Sequence, residues 1–202
     1  MRRFLIIAVS LVLAGNMLLG QELKPYTMGA QSSEALDVVR EKTSQALVAA
    51  GFTILGDYQP ALDETRWVYV INSNEMTGAV QEFGGLTGFA AALRVGLTVE
   101  DGMVNISYTN PIYLGYAYFQ KNFSDVEDKF LTVQKKLKQA MTDLGTVMDQ
   151  PFGSEEGLTP KDLRKYHYMF GMEYFEDVVE LTEFSSYGVG KSIIESKIAK
   201  GV

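Results

Sequence analysis

The residue types best suited to binding chemistry lie in one stretch, residues 93–118, which reads LRVGLTVEDGMVNISYTNPIYLGYAY. A guanidinium can pair with an anionic group, and a few convergent hydroxyl and amide groups can orient a small molecule in a pocket. We therefore predict a binding site for a small or anionic ligand in this stretch, formed by Arg94, Tyr108, Asn110 and Tyr113.

A turn at Asp101 and Gly102 is predicted to bring the two halves of this stretch together. The Asp-Gly pair favours a two-residue type I′ turn, because both positions need positive φ. Counting outward from the turn gives a hairpin with one apolar side and one side of small or polar residues. The apolar pairs are Val99 with Val104, Leu97 with Ile106, and Val95 with Tyr108. The other pairs are Thr98 with Asn105, Gly96 with Ser107, and Arg94 with Thr109.

The hairpin is predicted to lead directly into a short helix that begins at Pro111. Asn110 is a good N-cap, and proline suits the first helical position because its missing N–H costs nothing there. This arrangement would place Arg94, Thr109 and Asn110 beside a helix N-terminus, whose free N–H groups attract anions. The alternative interpretation is that Arg94 is a solvated strand residue and that Asn110 is only a cap.

Other reactive residue types favour no second site. His167 is the single histidine of the chain, and together with Met169 and Met172 it could ligate copper or haem. Methionine beside aromatic residues is more often core filler, so we expect no metal and no cofactor. The carboxylates at 155–156 and 176–177 are expected to be solvated. The serines at 185–186 are better explained as a helix cap than as a nucleophile, because no G-x-S-x-G motif surrounds them.

The composition excludes several classes of function. A chain of 202 residues predicts one domain, or one domain with an extension. The formal net charge of −7 argues against general nucleic-acid binding, which requires a basic surface. The chain contains no cysteine, which excludes disulfides, thiolate catalysis and cysteine-based zinc sites.

The N-terminal residues 1–20 have the pattern of a secretory signal peptide, with two arginines followed by an interrupted apolar run. Cleavage is expected near Gly20 and Gln21, and the protein is expected to be periplasmic or secreted. Gln21 stands where a lipoprotein would carry its lipidated cysteine, so we expect no lipid anchor and no stable membrane insertion after cleavage. Because Leu18 is large for the position that it takes in a cleavage site, an uncleaved anchor is the alternative.

The rest of the chain predicts alternating strands and helices. Strands are expected at 26–30, 52–58 and 66–72, and the last has apolar residues on both faces, which predicts that both faces are covered. The glycine-rich residues 84–88 are interpreted as a flexible connection. Residues 147–160 are predicted to be a linker. An extension at 161–202 is predicted to contain strands at 165–175 and 178–184 and a final helix.

Several of these residues also resemble a known bacterial family. The sequence AAGF at 49–52, Leu93-Arg94, Tyr108, Asn110-Pro111 and Tyr113 stand in places that match the family called Domain of Unknown Function 302. The resemblance covers residues 24–144. It implies a compact α+β sandwich, often paired as a dimer, with no established activity.

We therefore predict an α+β protein, a two-layer sandwich with a mainly antiparallel sheet and helices packed on one face. The domain that resembles the DUF302 family would span residues 24–146. The predicted function is non-catalytic binding of a small or anionic ligand, or an accessory role, outside the cytoplasm. One alternative is an enzyme of unknown class that uses Arg94, Tyr108 and Asn110, or His167. Another is a structural or assembly protein that acts as a homodimer or larger homo-oligomer.

Overall fold

The fold, in a computed structural model, is an α+β sandwich built on one six-stranded sheet with strand order β2-β3-β4-β5-β1-β6. The structure describes residues 22–165, 171–175 and 177–200. Every pair of neighbouring strands in the sheet is antiparallel. The strands are β1 Tyr26–Ser32, β2 Thr53–Tyr58, β3 Arg66–Asn72, β4 Leu93–Glu100, β5 Met103–Thr109 and β6 Thr146–Phe152.

Helices cover one face of this sheet. The helices are α1 Leu36–Ala49, α2 Asn74–Phe83, α3 Pro111–Phe119, α4 Glu127–Met141, α5 Pro160–Leu163 and α6 Tyr187–Lys200. Short 3-10 segments lie at Pro60–Leu62, Gly85–Ala90 and Gln120–Asp125. Apolar residues of α1 and α4 share a buried core with the inward side of the strands, so the prediction of a sandwich with helices on one face is confirmed.

The predicted hairpin forms in the predicted register. Asp101 and Gly102 have φ of 51° and 75°, which are the positive values that a type I′ turn requires. Glu100 pairs with Met103, and every pair outward to Val95 with Tyr108 follows the prediction. The apolar side lies in the main core, where Leu97 and Ile106 are fully buried. The hairpin therefore divides its side chains between a helix-covered face and an open face of the sheet.

A second, smaller core joins α2, α3 and the start of α4 next to the point where β5 leads into α3. Aromatic rings dominate it, with Phe130 lying 5.4 Å from both Phe119 and Phe123 between ring centroids. This core holds α3 and the Gly85–Ala90 segment in place beside the open face of the sheet. Of residues 84–88, interpreted as a flexible connection, Gly84 is the N-cap of the 3-10 segment Gly85–Ala90 and the rest belong to this segment. The Thr87 hydroxyl donates to the Gly84 carbonyl.

The prediction of a linker at 147–160 is wrong for its first part, because β6 occupies 146–152 and pairs along β1. Proline and acidic residues made this stretch look irregular. An edge strand tolerates Pro151, since a missing N–H on the solvent side breaks no ladder bond. A bridge between Leu23 and Leu158 then ties the following loop to the start of the domain.

In the C-terminal extension, the predicted helix is confirmed. The predicted strand at 178–184 is wrong, since these residues form no strand and Val178, Val179 and Leu181 are 63%, 74% and 90% exposed. Alternating apolar residues make a strand only where a neighbouring strand offers backbone partners. Of the strand predicted at 165–175, residues 166–170, including His167, lie outside the described residues, and 171–175 form no strand. The helix forms as α6, with Ser186 Oγ accepting from the Val189 amide.

Candidate functional site

A cleft of about 780 Å³ lies on the open face of the sheet, between β3, β4 and β5 and the edge formed by α3 and the Gly85–Ala90 segment. The prediction that both faces of β3 are covered is therefore wrong. Tyr69 and Ile71 are buried against the helices, but Val68 and Val70 are half-buried and line the cleft. The open face of β3 forms a wall of the cleft because none of the described helices packs over it.

The floor of the cleft is low because its central side chains are small. Gly96 lies between Val68 on β3 and Ser107 on β5. A Cβ atom built on Gly96 would meet one neighbouring side-chain atom, Ser107 Oγ, at 3.5 Å. The space above this pair is therefore open, and a larger residue at 96 would extend into the cleft without striking the backbone.

Aromatic rings form the rim. Phe89 stacks on Tyr118 with 5.5 Å between ring centroids, although Phe89 is 63% exposed. Phe175, from the C-terminal extension, meets Tyr118 edge-on at 5.4 Å and Tyr113 at 6.4 Å. Burial raises the pKa of the Tyr118 phenol, so this hydroxyl stays neutral over the physiological pH range. The rim thus offers flat apolar surfaces and adds no negative charge.

Arg94 lies on the open face at the start of β4, opposite Val70 and beside Thr109. The Thr109 hydroxyl bridges the Arg94 backbone, as an acceptor for its amide at 3.3 Å and as a donor to its carbonyl at 3.4 Å. Among the described side chains that line the cleft, Arg94 is the only one that carries a charge. None of the ion pairs in the described part of the chain includes its guanidinium, which is exposed.

Asn110 is the N-cap of α3, as its alternative interpretation predicted. Its Oδ1 accepts from the amides of Ile112 at 3.0 Å and Tyr113 at 3.4 Å, and its Nδ2 donates to the Lys24 carbonyl at 2.9 Å. Pro111 has no N–H to offer. The idea that this helix N-terminus presents free N–H groups to an anion is therefore wrong, because the cap itself already uses them.

The ring of Tyr108 lies on the helix-covered face, opposite to Arg94. It belongs to the main core, and a Cβ atom built on Gly29 would lie 3.0 Å from its Cε1 and 2.6 Å from Met141 of α4. Burial, together with the negative charge of Asp149, raises the pKa of Tyr108 to about 12. Tyr108 borders the cleft as part of β5, but its phenol cannot act together with the Arg94 side chain.

The structure therefore separates the four predicted site residues. Arg94 and Tyr113 line the same cleft. Asn110 caps α3, and the ring of Tyr108 lies in the main core on the other face of the sheet. The sequence reasoning missed the residues that shape the cleft: Phe89, Gly96, Ser107, Tyr118 and Phe175. The pair of Gly96 and Ser107 was visible in the predicted register as the smallest pair on the open side of the hairpin.

The alternative of an enzyme depended on a cluster of Arg94, Tyr108 and Asn110. These side chains do not form a cluster, because Arg94 and Tyr108 lie on opposite faces of the sheet and Asn110 caps α3. The other candidate for that alternative, His167, lies outside the described residues. In the part of the chain that the structure describes, no three or more acidic or histidine side chains are grouped to hold a metal ion. No helix within the described ranges has the length and apolar character needed to cross a bilayer.

No family model and no curated protein matches the sequence. Among solved structures, the chain is similar to the crystal structure of an uncharacterized conserved protein, DUF302, from Bacillus stearothermophilus. The two share 15% sequence identity with a TM-score of 0.49, over 58% of this chain and 96% of that chain. This is the same family that residues 24–144 resemble in sequence.

Proposed function

We propose that the protein binds a small organic molecule in the open-face cleft and performs no chemistry on it. The observation that carries this proposal is the cleft itself, about 780 Å³ with small residues on its floor and aromatic rings on its rim. Small-molecule sites are typically concave, about 300–1,000 Å³, and mostly apolar with a few polar groups. The described lining residues include no carboxylate and no imidazole that could serve as a general base.

Filling the floor of the cleft is expected to abolish binding. In Gly96→Leu the new side chain would occupy the space above Ser107, where a Cβ atom meets no backbone atom within 4 Å. The matched control is Thr98→Leu, which adds a leucine on the same face of β4 two residues further along, outside the cleft. The measurement is a thermal-shift screen of a small-molecule library against the wild type and both variants.

We expect some compounds to raise the melting temperature of the wild type and of Thr98→Leu but not that of Gly96→Leu. At a ligand concentration 100 times Kd, binding stabilises a folded protein by about 2.7 kcal/mol, which gives a readily measured shift. Shifts that persist in Gly96→Leu would move the binding site away from the cleft. A screen in which no compound stabilises the wild type would contradict a binding function.

We also propose that this binding takes place outside the cytoplasm, in the periplasm or after secretion. The support is the signal-peptide pattern of residues 1–20, two arginines followed by an interrupted apolar run. When the full chain is expressed in a bacterial host, we expect the mature protein in the periplasmic fraction, with Gln21 as its N-terminus. Cell fractionation and intact-mass spectrometry test this. Recovery of a cytosolic protein that retains residues 1–20 would exclude the proposed location.

A further inference from the structure

The cleft is a small positively charged region on a protein whose formal net charge is −7. Glu100 lies on the same face of β4 as Arg94, but six residues of strand separate them by roughly 20 Å. Glu100 is also engaged, because its Oε2 accepts from Asn105 Nδ2 at 2.9 Å. At physiological ionic strength, charges separated by much more than about 8 Å are largely screened from each other. Among the described residues no carboxylate lines the cleft, so the Arg94 guanidinium is available to an anionic group.

The remainder of the cleft suits a flat apolar group. Val68 and Val70 form one wall, and the stacked rings of Phe89 and Tyr118 lie at the rim. Their ring planes are inclined by only 29°, and the large exposed area of Phe89 leaves room for a further ring to stack on it. Aromatic side chains gain stability from offset stacking beyond the area that they bury. The cleft volume is far larger than a single carboxylate requires.

We infer that the ligand is an amphipathic monoanion, with a flat apolar or aromatic body and one carboxylate-like group that pairs with Arg94. This inference rests on the proposed function and specifies the class of molecule that the cleft takes. The guanidinium can donate two parallel N–H bonds to the two oxygens of a carboxylate. A neutral amide has one oxygen acceptor and no charge, so it would bind Arg94 less strongly. The apolar walls and the rim exclude water from the body of the ligand and supply the rest of the affinity.

The test compares three probes by isothermal titration calorimetry: 2-naphthoate, the neutral 2-naphthamide, and acetate, which carries the charge without the rings. We expect 2-naphthoate to bind about tenfold or more tightly than 2-naphthamide, since a hydrogen bond to an ionised group is roughly twice as strong as one between neutral groups. Acetate is expected to bind too weakly to measure at the same concentration, because it buries almost no apolar area.

Arg94→Ala is expected to remove the preference for 2-naphthoate over 2-naphthamide and to leave the affinity for 2-naphthamide within about twofold. Arg94→Lys, which keeps the charge but loses the two-donor geometry, is expected to retain part of the preference. The matched control is Arg66→Ala. Arg66 lies on the same sheet face, outside the cleft, and is paired with Asp63 at 3.1 Å. The Arg66→Ala variant loses the same charge as Arg94→Ala and is expected to keep the full preference for 2-naphthoate over 2-naphthamide.

The outcomes separate this inference from the proposed function. If the wild type binds 2-naphthamide as tightly as 2-naphthoate and Gly96→Leu blocks both, the anionic class is wrong and the cleft function stands. A second outcome is that neither naphthalene probe binds, while uncharged polar compounds stabilise the wild type and not Gly96→Leu. In that case the inferred ligand class is wrong and the proposed binding function of the cleft stands. If Arg66→Ala loses the preference as Arg94→Ala does, the effect is one of net charge and the pairing with Arg94 is wrong. If no compound binds in either experiment, both proposals fail.

Discussion

Replacing Gly115 with alanine is expected to destabilise the protein by about 3 kcal/mol. A Cβ atom at this position of α3 would overlap the ring of Phe123, with Cζ at 2.5 Å and Cδ2 at 2.6 Å. Phe123 has no exposed surface, and its ring centroid lies 4.4 Å from that of Tyr116 and 5.4 Å from that of Phe130. Protein interiors are packed as densely as organic crystals, so this ring has nowhere to move without displacing its neighbours.

Gly78→Ala is the matched control for this substitution. Gly78 lies inside α2, and a Cβ atom there would meet no atom within 4 Å. Alanine in a helix interior is more favourable than glycine by about 0.5–1 kcal/mol, so this variant is expected to be slightly more stable than the wild type. Urea unfolding followed by circular dichroism measures both changes. If Gly115→Ala were as stable as Gly78→Ala, the packing of α3 on Phe123 described above would be wrong.

The Gly115 prediction also bears on the cleft, because α3 carries both Tyr113 and Tyr118. A shift of α3 away from Phe123 would displace both of these rings from their positions in the cleft. Under conditions in which Gly115→Ala still folds, we expect weaker binding of 2-naphthoate than in the wild type. Gly78→Ala is expected to bind this probe as the wild type does.

Asn110→Ala is expected to lower the free energy of unfolding by about 3 kcal/mol, which is more than the loss of an ordinary helix cap. An N-cap contributes typically about 1 kcal/mol, and each buried group left without its partner costs about 1–3 kcal/mol more. Asn110 makes three side-chain hydrogen bonds, two to amides of α3 and one to the Lys24 carbonyl. The substitution leaves these groups unpaired and also loosens the tie between α3 and the start of β1.

The control for this prediction is Ser73→Ala at the N-cap of α2, where the bond that Ser73 Oγ accepts from the Met76 amide at 3.4 Å is lost. We expect a cost of about 1 kcal/mol there. Asn110→Asp keeps the acceptor but loses the donor to Lys24, so its cost is expected to lie between the two. Chemical unfolding gives the free energies, and hydrogen exchange at the Ile112 and Tyr113 amides reports on the cap directly. If Asn110→Ala lost ligand binding with no loss of stability, Asn110 would be a ligand-contacting residue and not a structural cap.

The position of Tyr108 shows how much of the site was already contained in the sequence pattern. The hairpin register assigns Tyr108 to the apolar side, and the side-chain period of two places it on the opposite face from Arg94. The predicted site grouped these residues by their closeness along the chain instead of by sheet face. Applied consistently, the same register would have excluded Tyr108 and selected Gly96 and Ser107.

Some local signals were overruled by the surroundings. Residues 124–127 have the spacing of a capping box, but Ser124 and Asp125 belong to a 3-10 segment, and α4 begins at Glu127 with Val126 as an N-cap that makes no side-chain bond. The apolar residues of α4 nevertheless recur at helical spacing and form its buried face, with Phe130, Val133 and Leu137 fully buried. Helix faces follow from periodicity, whereas helix ends depend on how the chain enters the helix from its neighbours.

Local chemistry in the sequence is enough to specify the hairpin, its register and the cap of α3, because turn dihedrals, side-chain alternation and capping act over a few residues. The cleft, by contrast, exists only in the folded molecule. Its lining comes from Val68, Phe89, Gly96, Tyr118 and Phe175, which belong to five separate segments of the chain. Tertiary packing also decided that β6 joins the free edge of β1 and that one face of β3 stays open. These features depend on long-range contacts, whose partners no local pattern identifies.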